Sequence, residues 1–204
     1  PRRSLPMEPM QTEERRLTVE RNVPVDALYM AFHMCSRNHP DYYAFDMLSD
    51  LLSSGRSSRF VQHLVQDKQI FNSIDAYISG SIDNGLFHIV GKPAPEKTLE
   101  EAEKAIWEEL ALLTEGSIDE NELEKVKNRY ESEQIFNNLN YLNVATNLAY
   151  FELIGKAEDI NTEVKKYRSV TQEQIKRAAK QTFLPENCSV LYYKAAAKGA
   201  SHTP

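Results

Sequence analysis

An α+β fold is the class this sequence of 204 residues predicts, and three observations predict it. Strand-like runs cluster at the start and in the middle of the chain instead of alternating with helices. Two of the central runs are joined by a tight polar turn, as antiparallel strands are. The second half is a series of helical patterns closed by one last strand. The expected architecture is a mostly antiparallel sheet with helices packed on one side.

Each element has its own signal. Residues 16–21 alternate polar Arg16, Thr18 and Glu20 with apolar Leu17 and Val19, the period of a half-buried strand. Residues 25–34 hold the denser run Ala27, Leu28, Tyr29, Met30, Ala31, Phe32, which suits a central strand. Residues 41–52 are helical, with Phe45, Leu48, Leu51 and Leu52 on one face. Ser53-Ser54-Gly55-Arg56-Ser57-Ser58 ends that helix. Gly55 is the permissive stop, and Ser57 or Ser58 is the expected cap of a short helix from 58 to about 66. Residues 70–78 read as a strand and 80–85 as a turn, with Asn84-Gly85 as the hairpin signal and 86–90 as the return strand.

Four helices follow. Thr98 with Glu101 forms a capping box ahead of Leu99, Ala102, Ile106, Leu110 and Leu113. Ser117 with Glu120 forms a second, opening a helix through Leu123, Val126 and Tyr130. A third helix covers 141–153 and ends near Gly155, and Thr171 with Gln174 opens the fourth, which runs to Phe183. Residues 187–193 close the chain as a strand.

Composition narrows the function classes. Hydrophobic residues are 41% and charged residues 26%, an ordinary globular balance. A net charge of -6 argues against nucleic acid or an anionic membrane as partner, because Arg2-Arg3 and Arg15-Arg16 are interleaved with Glu13 and Glu14. No apolar run approaches the roughly 20 residues that span a bilayer. Residues 1–14, with three prolines, read as a linker or lead-in segment, 15–194 as one α+β domain, and 195–204 as a disordered tail. A start at Pro1 suggests a fragment of a longer, soluble protein. A cytoplasmic or periplasmic location then depends on the missing N-terminus.

Cys35 and Cys188 lie in strand-like runs and read as buried thiols; a bridge between them requires neighbouring strands. His33 and Cys35, two apart, share a strand face, and Cys188 is the third donor of a zinc set, against the plainer reading of core thiols and no metal. His39 and His63 read as solvated. Glu96, Glu100, Glu101, Glu103, Glu108 and Glu109 read as the solvated face of an amphipathic helix, not as acid–base pairs, and Trp107 as partly exposed. Phe136, Tyr141, Tyr150 and Phe151 offer either a peptide-binding surface or core packing, of which core is the plainer. No Gly-x-Ser-x-Gly frame surrounds Ser57 or Ser58, and no glycine loop cradles phosphate.

The run Leu51-Leu52-Ser53-Ser54-Gly55-Arg56-Ser57-Ser58-Arg59-Phe60 resembles the Leu-Gly-Gly-Gly-x-Ser-Ser-Arg-Leu signature of the pitrilysin or insulinase-type zinc peptidases, closely so the mitochondrial-processing-peptidase-like branch. The hairpin ending at Gly85-Leu86-Phe87-His88-Ile89, the helix opening at Ser117 to Lys127, and Val170-Thr171-Gln172-Glu173-Gln174-Ile175 with Phe183-Leu184-Pro185-Glu186-Asn187 extend the likeness over about residues 15–195. Each motif is capping or turn chemistry; their order and spacing carry the resemblance.

The resemblance is to the second, non-zinc-binding domain of such a unit. It implies an upstream catalytic domain with an H-x-x-E-H zinc motif, and none of the five histidines here begins or ends that pattern. It further implies a second such unit, as homo- or heterodimer, closing around an unstructured peptide. Zinc is expected in the partner or upstream domain, and this chain alone is expected to be inactive. Relatives offer the substrate an Arg and, seven residues later, a Tyr. Those positions here are Val65 and Asn72. Arg59, Lys68, Asn72 and Tyr77 are the candidate substrate contacts, with Arg59 also readable as structural. Two other readings stand beside this one: a structural or assembly subunit of the same fold, and a stand-alone peptide-binding module.

Overall fold

A computed structural model describes residues 8–196. Residues 1–7 and 197–204, half of the lead-in segment and most of the expected tail, lie outside the described residues. Five strands form one sheet: β1 (Arg15–Arg21), β2 (Ala27–Ser36), β3 (Phe71–Ser79), β4 (Asn84–Pro93) and β5 (Cys188–Ala195). Their order is β1-β5-β2-β4-β3. Only β1 and β5 pair parallel; the other three pairings are antiparallel. Among the described residues the six α-helices are α1 (Tyr42–Ser53), α2 (Leu99–Glu115), α3 (Glu120–Asn137), α4 (Tyr141–Ile154), α5 (Ile160–Arg168) and α6 (Gln172–Thr182). Phe60–Asp67 forms a π-helical segment.

One face of the sheet builds the core. Leu28, Met30 and Phe32 of β2, Phe87 and Ile89 of β4, and Cys188 and Val190 of β5 are buried under α1, α2 and α6. Phe32 packs edge-on against Trp107 of α2 and Phe183 after α6, at 5.7 and 5.1 Å between ring centroids. The opposite face carries Tyr29 and Tyr77, both exposed, so the mostly antiparallel sheet has its helices on one side. Segment 8–14 is not wholly loose, since Gln11 Nε2 donates to Cys188 O at 2.8 Å.

Several local expectations change. Ser117 does not cap α3. Asp119 does, accepting from Asn121 N at 2.9 Å, because the aspartate sits next to the first helical residue. Ser58 Oγ donates to Gly55 O at 2.7 Å and so does not cap the π-helical segment. Gly55 takes the left-handed conformation, φ 87°, that the helix stop requires. Asn84-Gly85 lies inside β4, paired with Ser36 and Met34, so the turn is 80–83. Helix α5 has no counterpart in the sequence reading. Only Glu163 and Tyr167 of its nine residues are buried, which leaves no apolar stripe to read.

Glu103 and Glu109 are buried, not solvated. Glu103 receives Arg16 from β1, Tyr192 from β5 and Trp107. Burial works against its carboxylate, but those donors outweigh it and hold the pKa below the usual value. His63 Nδ1 lies 2.9 Å from Glu109 Oε1, so the ring is half-exposed and anchored at once. Both cysteines are free thiols. Burial pushes Cys35 up to about 11 and Cys188 up to about 12. Of the four aromatics, only Phe151 is core; Phe136, Tyr141 and Tyr150 are exposed.

Candidate functional site

β3 is an edge strand: β4 is its one sheet neighbour among the described residues. No described strand lies along its outer edge, although the carbonyl of Ala76 in β3 already accepts from Ser53 Oγ of α1 at 2.9 Å. At its first residues the π-helical segment, β3 and the turn after β4 surround an open hollow of about 500 Å³, lined by Val65, Lys68, Gln69, Asn72, Glu96 and Lys97 among others. Two backbone hydrogen bonds of 2.8 Å join the walls, Ile70 N donating to Leu64 O and Ala94 N to Ile70 O.

The hollow holds the described residues' two non-glycine positive φ angles, Gln69 at 50° and Glu96 at 74°. Gln69 follows the π-helical segment, where a left-handed residue turns the chain out of the helix. Glu96 is the third residue of the turn Ala94-Pro95-Glu96-Lys97, closed by Lys97 N donating to Ala94 O at 3.1 Å. Glycine is the usual occupant there, and a side chain in its place costs about 1–2 kcal/mol. Such strain is concentrated at sites with a task beyond folding.

The candidate residues fall in three places. Lys68 and Asn72 line the hollow together. Asn72 is the extra residue of a β-bulge, between Phe71, which pairs with Pro93, and Ser73, which pairs with Lys92. A bulge of this kind re-aims a side chain at an edge. Lys68 Nζ sits 3.3 Å from Glu108 Oε2 with both side chains near half exposure, a pairing too solvated to hold the lysine firmly. Tyr77 lies further along β3, ~17 Å from Asn72 at the usual rise per residue. Its exposed ring stacks on His88 at 4.9 Å, and Ser79 Oγ lies 3.0 Å from His88 Nε2. Burial lowers the His88 pKa below the ordinary imidazole value.

Arg59 is elsewhere. Its Nε and Nη2 donate to Glu122 Oε1 and Oε2, both at 2.9 Å, and Nη2 also reaches Ser117 O at 3.3 Å. The guanidinium thus ties the start of the π-helical segment to α3. The hollow's remaining polar residues, Gln69, Glu96 and Lys97, are ones the sequence reading passed over. Pro95 at the second position of a turn was the signal available for the last two.

The donor set does not fit zinc. Cys188 pairs directly with Phe32 and faces the core, whereas His33 lies on the other face of β2. Among the described residues no three His, Cys, Asp or Glu side chains are grouped to hold a metal ion. No described helix is long and apolar enough to cross a membrane.

Fold and edge together define an α+β domain with its helices on one face of the sheet and a strand left unpaired at one edge among the described residues. The comparisons make that specific. A family profile described as the peptidase M16 inactive domain matches residues 1–130, and the chain belongs to that family. It is 25% identical over 179 residues to YmxG of Bacillus subtilis (strain 168), named as an uncharacterized zinc protease, covering 87% of this chain and 43% of that one. It is 23% identical over 188 residues to the zinc protease PqqE of Helicobacter pylori, covering 92% and 42%. The fold matches a protease structure from Helicobacter pylori with a TM-score of 0.86 at 23% identity, covering 92% of this chain and 46% of that one. The chain therefore spans less than half the length of the curated relatives it matches.

Proposed function

We propose that this chain is the non-catalytic half of a zinc-dependent endopeptidase and that it forms wall and domain contacts around an unstructured peptide. The peptide lies along the β3 edge as an added strand, held by main-chain hydrogen bonds. Lys68 and Asn72 meet it at the hollow and Tyr77 further along. The carrying observation is that three of the four candidate contacts sit on or beside one open strand edge. Zinc and the activated water belong to an upstream catalytic half, and a second such unit completes the chamber.

The test is a quenched-fluorescent, unstructured peptide of about 20 residues mixed with the purified chain, with and without added zinc. Saturable binding without turnover is the expected result. Chelator-sensitive cleavage by a clean preparation refutes it. A second reading has one observation in its favour: Val65 and Asn72 stand where substrate-polarising Arg and Tyr are expected. A purely structural or assembly subunit binds no peptide in the same assay.

A further inference from the structure

Between Val126 and Val170 the chain buries three residues, Phe151, Glu163 and Tyr167. Helices α1, α2 and α6 each bury a largely apolar row. Here two of the three buried side chains are polar. Helix α4 packs mainly against α5 and the 157–159 turn, and α5 in turn against α3 and α1. Together α4 and α5 form one strap, residues 141–168, that is tied to the rest of the fold chiefly through Glu163 and Tyr167.

Those two side chains make a polar latch. Glu163 accepts from Arg37 Nη2 and, at 3.1 Å, from Tyr43 Oη. Tyr167 Oη donates to Asp46 Oδ2 of α1. Its ring stacks on Tyr130 of α3, at 3.6 Å between centroids, and meets Tyr43 edge-on at 5.0 Å. Arg168 pairs with Glu124 and Glu131 of α3, but all three side chains are more than a third exposed, and such pairs add little. An apolar side chain leaving a core loses its whole burial gain. Buried ions regain their hydration on release, which offsets much of the attraction they give up. The latch therefore fixes where the strap docks and holds it only modestly.

The seam beneath the strap has the same character. Well-packed interiors leave few voids larger than a water molecule. An open cavity of about 450 Å³ lies here, with Phe151, Ile154 and Lys166 on the strap side and Arg37, Tyr43 and Val170 on the other. Short connections bound the strap, 138–140 at one end and Ser169 at the other. Few buried apolar contacts and an unfilled seam are the marks of a segment that opens by itself.

We infer that α4 and α5 open as one unit, releasing Glu163 and Tyr167 while the sheet and the remaining helices stay folded. Opening uncovers Arg37 and the Asp46 carboxylate. The inference is independent of the peptide-holding role. Once released, helices of fourteen and nine residues are too short to persist in water, so opening is read as amide exchange.

Native-state hydrogen exchange of the 204-residue chain tests it. Amides of 141–168 are expected to be protected at least about 100-fold less than those of β2 and β4. Two variants separate the strap from global unfolding. I89V in β4 weakens a contact that only global unfolding breaks. It should speed sheet exchange by roughly 2- to 12-fold and leave 141–168 unchanged. Y167F removes a hydrogen bond that both openings break. It should speed both sets by one common factor of roughly 10- to 150-fold, with an unchanged circular dichroism spectrum. Equal protection of strap and sheet overturns the inference, as does an I89V effect of the same size in both. A strap that exchanges like a free peptide was never docked, and a Y167F strap that exchanges as in wild type has no latch there; either result overturns it too.

Discussion

Replacing Arg59 with alanine is expected to destabilise the fold and to leave peptide binding intact. The Arg59 side chain is 14% exposed and its partner Glu122 17%, and two N–H···O contacts of 2.9 Å join them in a fork. Hydrogen bonds to charged groups contribute about 1.5–3 kcal/mol each. Solvated pairs contribute under about 1 kcal/mol in all. This pair is largely but not wholly shielded, so R59A should cost about 2–4 kcal/mol, part of it from the Glu122 carboxylate left without its partner. At about 2–4 °C per kcal/mol for a chain of this size, the melting midpoint should fall by roughly 4–16 °C. R59K keeps the charge and loses the fork, so it should recover about half of the loss. Urea unfolding followed by circular dichroism measures the first quantity. Fluorescence anisotropy of a labelled unstructured peptide, at a temperature where both proteins are folded, measures the second. An R59A protein within about 0.5 kcal/mol of wild type that has lost peptide affinity would refute the structural assignment.

Three further outcomes follow from the same geometry. V65R/N72Y places the expected Arg and Tyr into the hollow and should tighten peptide binding by several-fold in the anisotropy assay; unchanged or weaker binding by a folded variant counts against the hollow as a contact. E96G relieves the left-handed side chain at the Ala94–Lys97 turn and should raise stability by about 1 kcal/mol, and a destabilised E96G protein contradicts the strain argument. Asp50 is the third. Burial, and then the neighbouring Asp46 charge, push its pKa from 3.8 up to about 6. The folded state thus binds more protons than the unfolded state between those values, so stability falls as pH rises through that window. D50N should flatten the fall and be more stable than wild type at pH 7 by about 1–3 kcal/mol. Equal slopes for the two proteins between pH 4 and 6 exclude the assignment.

Legibility in the sequence followed the physics of each signal. Thr98 with Glu101 and Thr171 with Gln174 are local reciprocal hydrogen bonds, and both boxes are present as read. The apolar periods of β2, α1 and α2 depend on one face meeting a core, and those faces are buried. What escaped is non-local or conformational. The burial of Glu103 depends on Arg16 and Tyr192, which lie 87 and 89 residues away in sequence. The left-handed angles at Gln69 and Glu96 have no glycine to announce them. Helix α4 misled by being apolar on nearly every side, a pattern that reads as core and is here largely exposed. The arginine of the motif around Gly55 pairs with Glu122 of α3, a partner 63 residues away that its own run cannot announce.

The β3 edge is proposed to hold an extended peptide and to do no chemistry on it. Amide hydrogen exchange of the chain, with and without a saturating unstructured peptide and with zinc present, tests this most directly. The predicted result is added protection along Phe71–Ser79, with the peptide recovered intact. Protection confined to other elements, no protection at saturation, or recovery of cleaved peptide would contradict it.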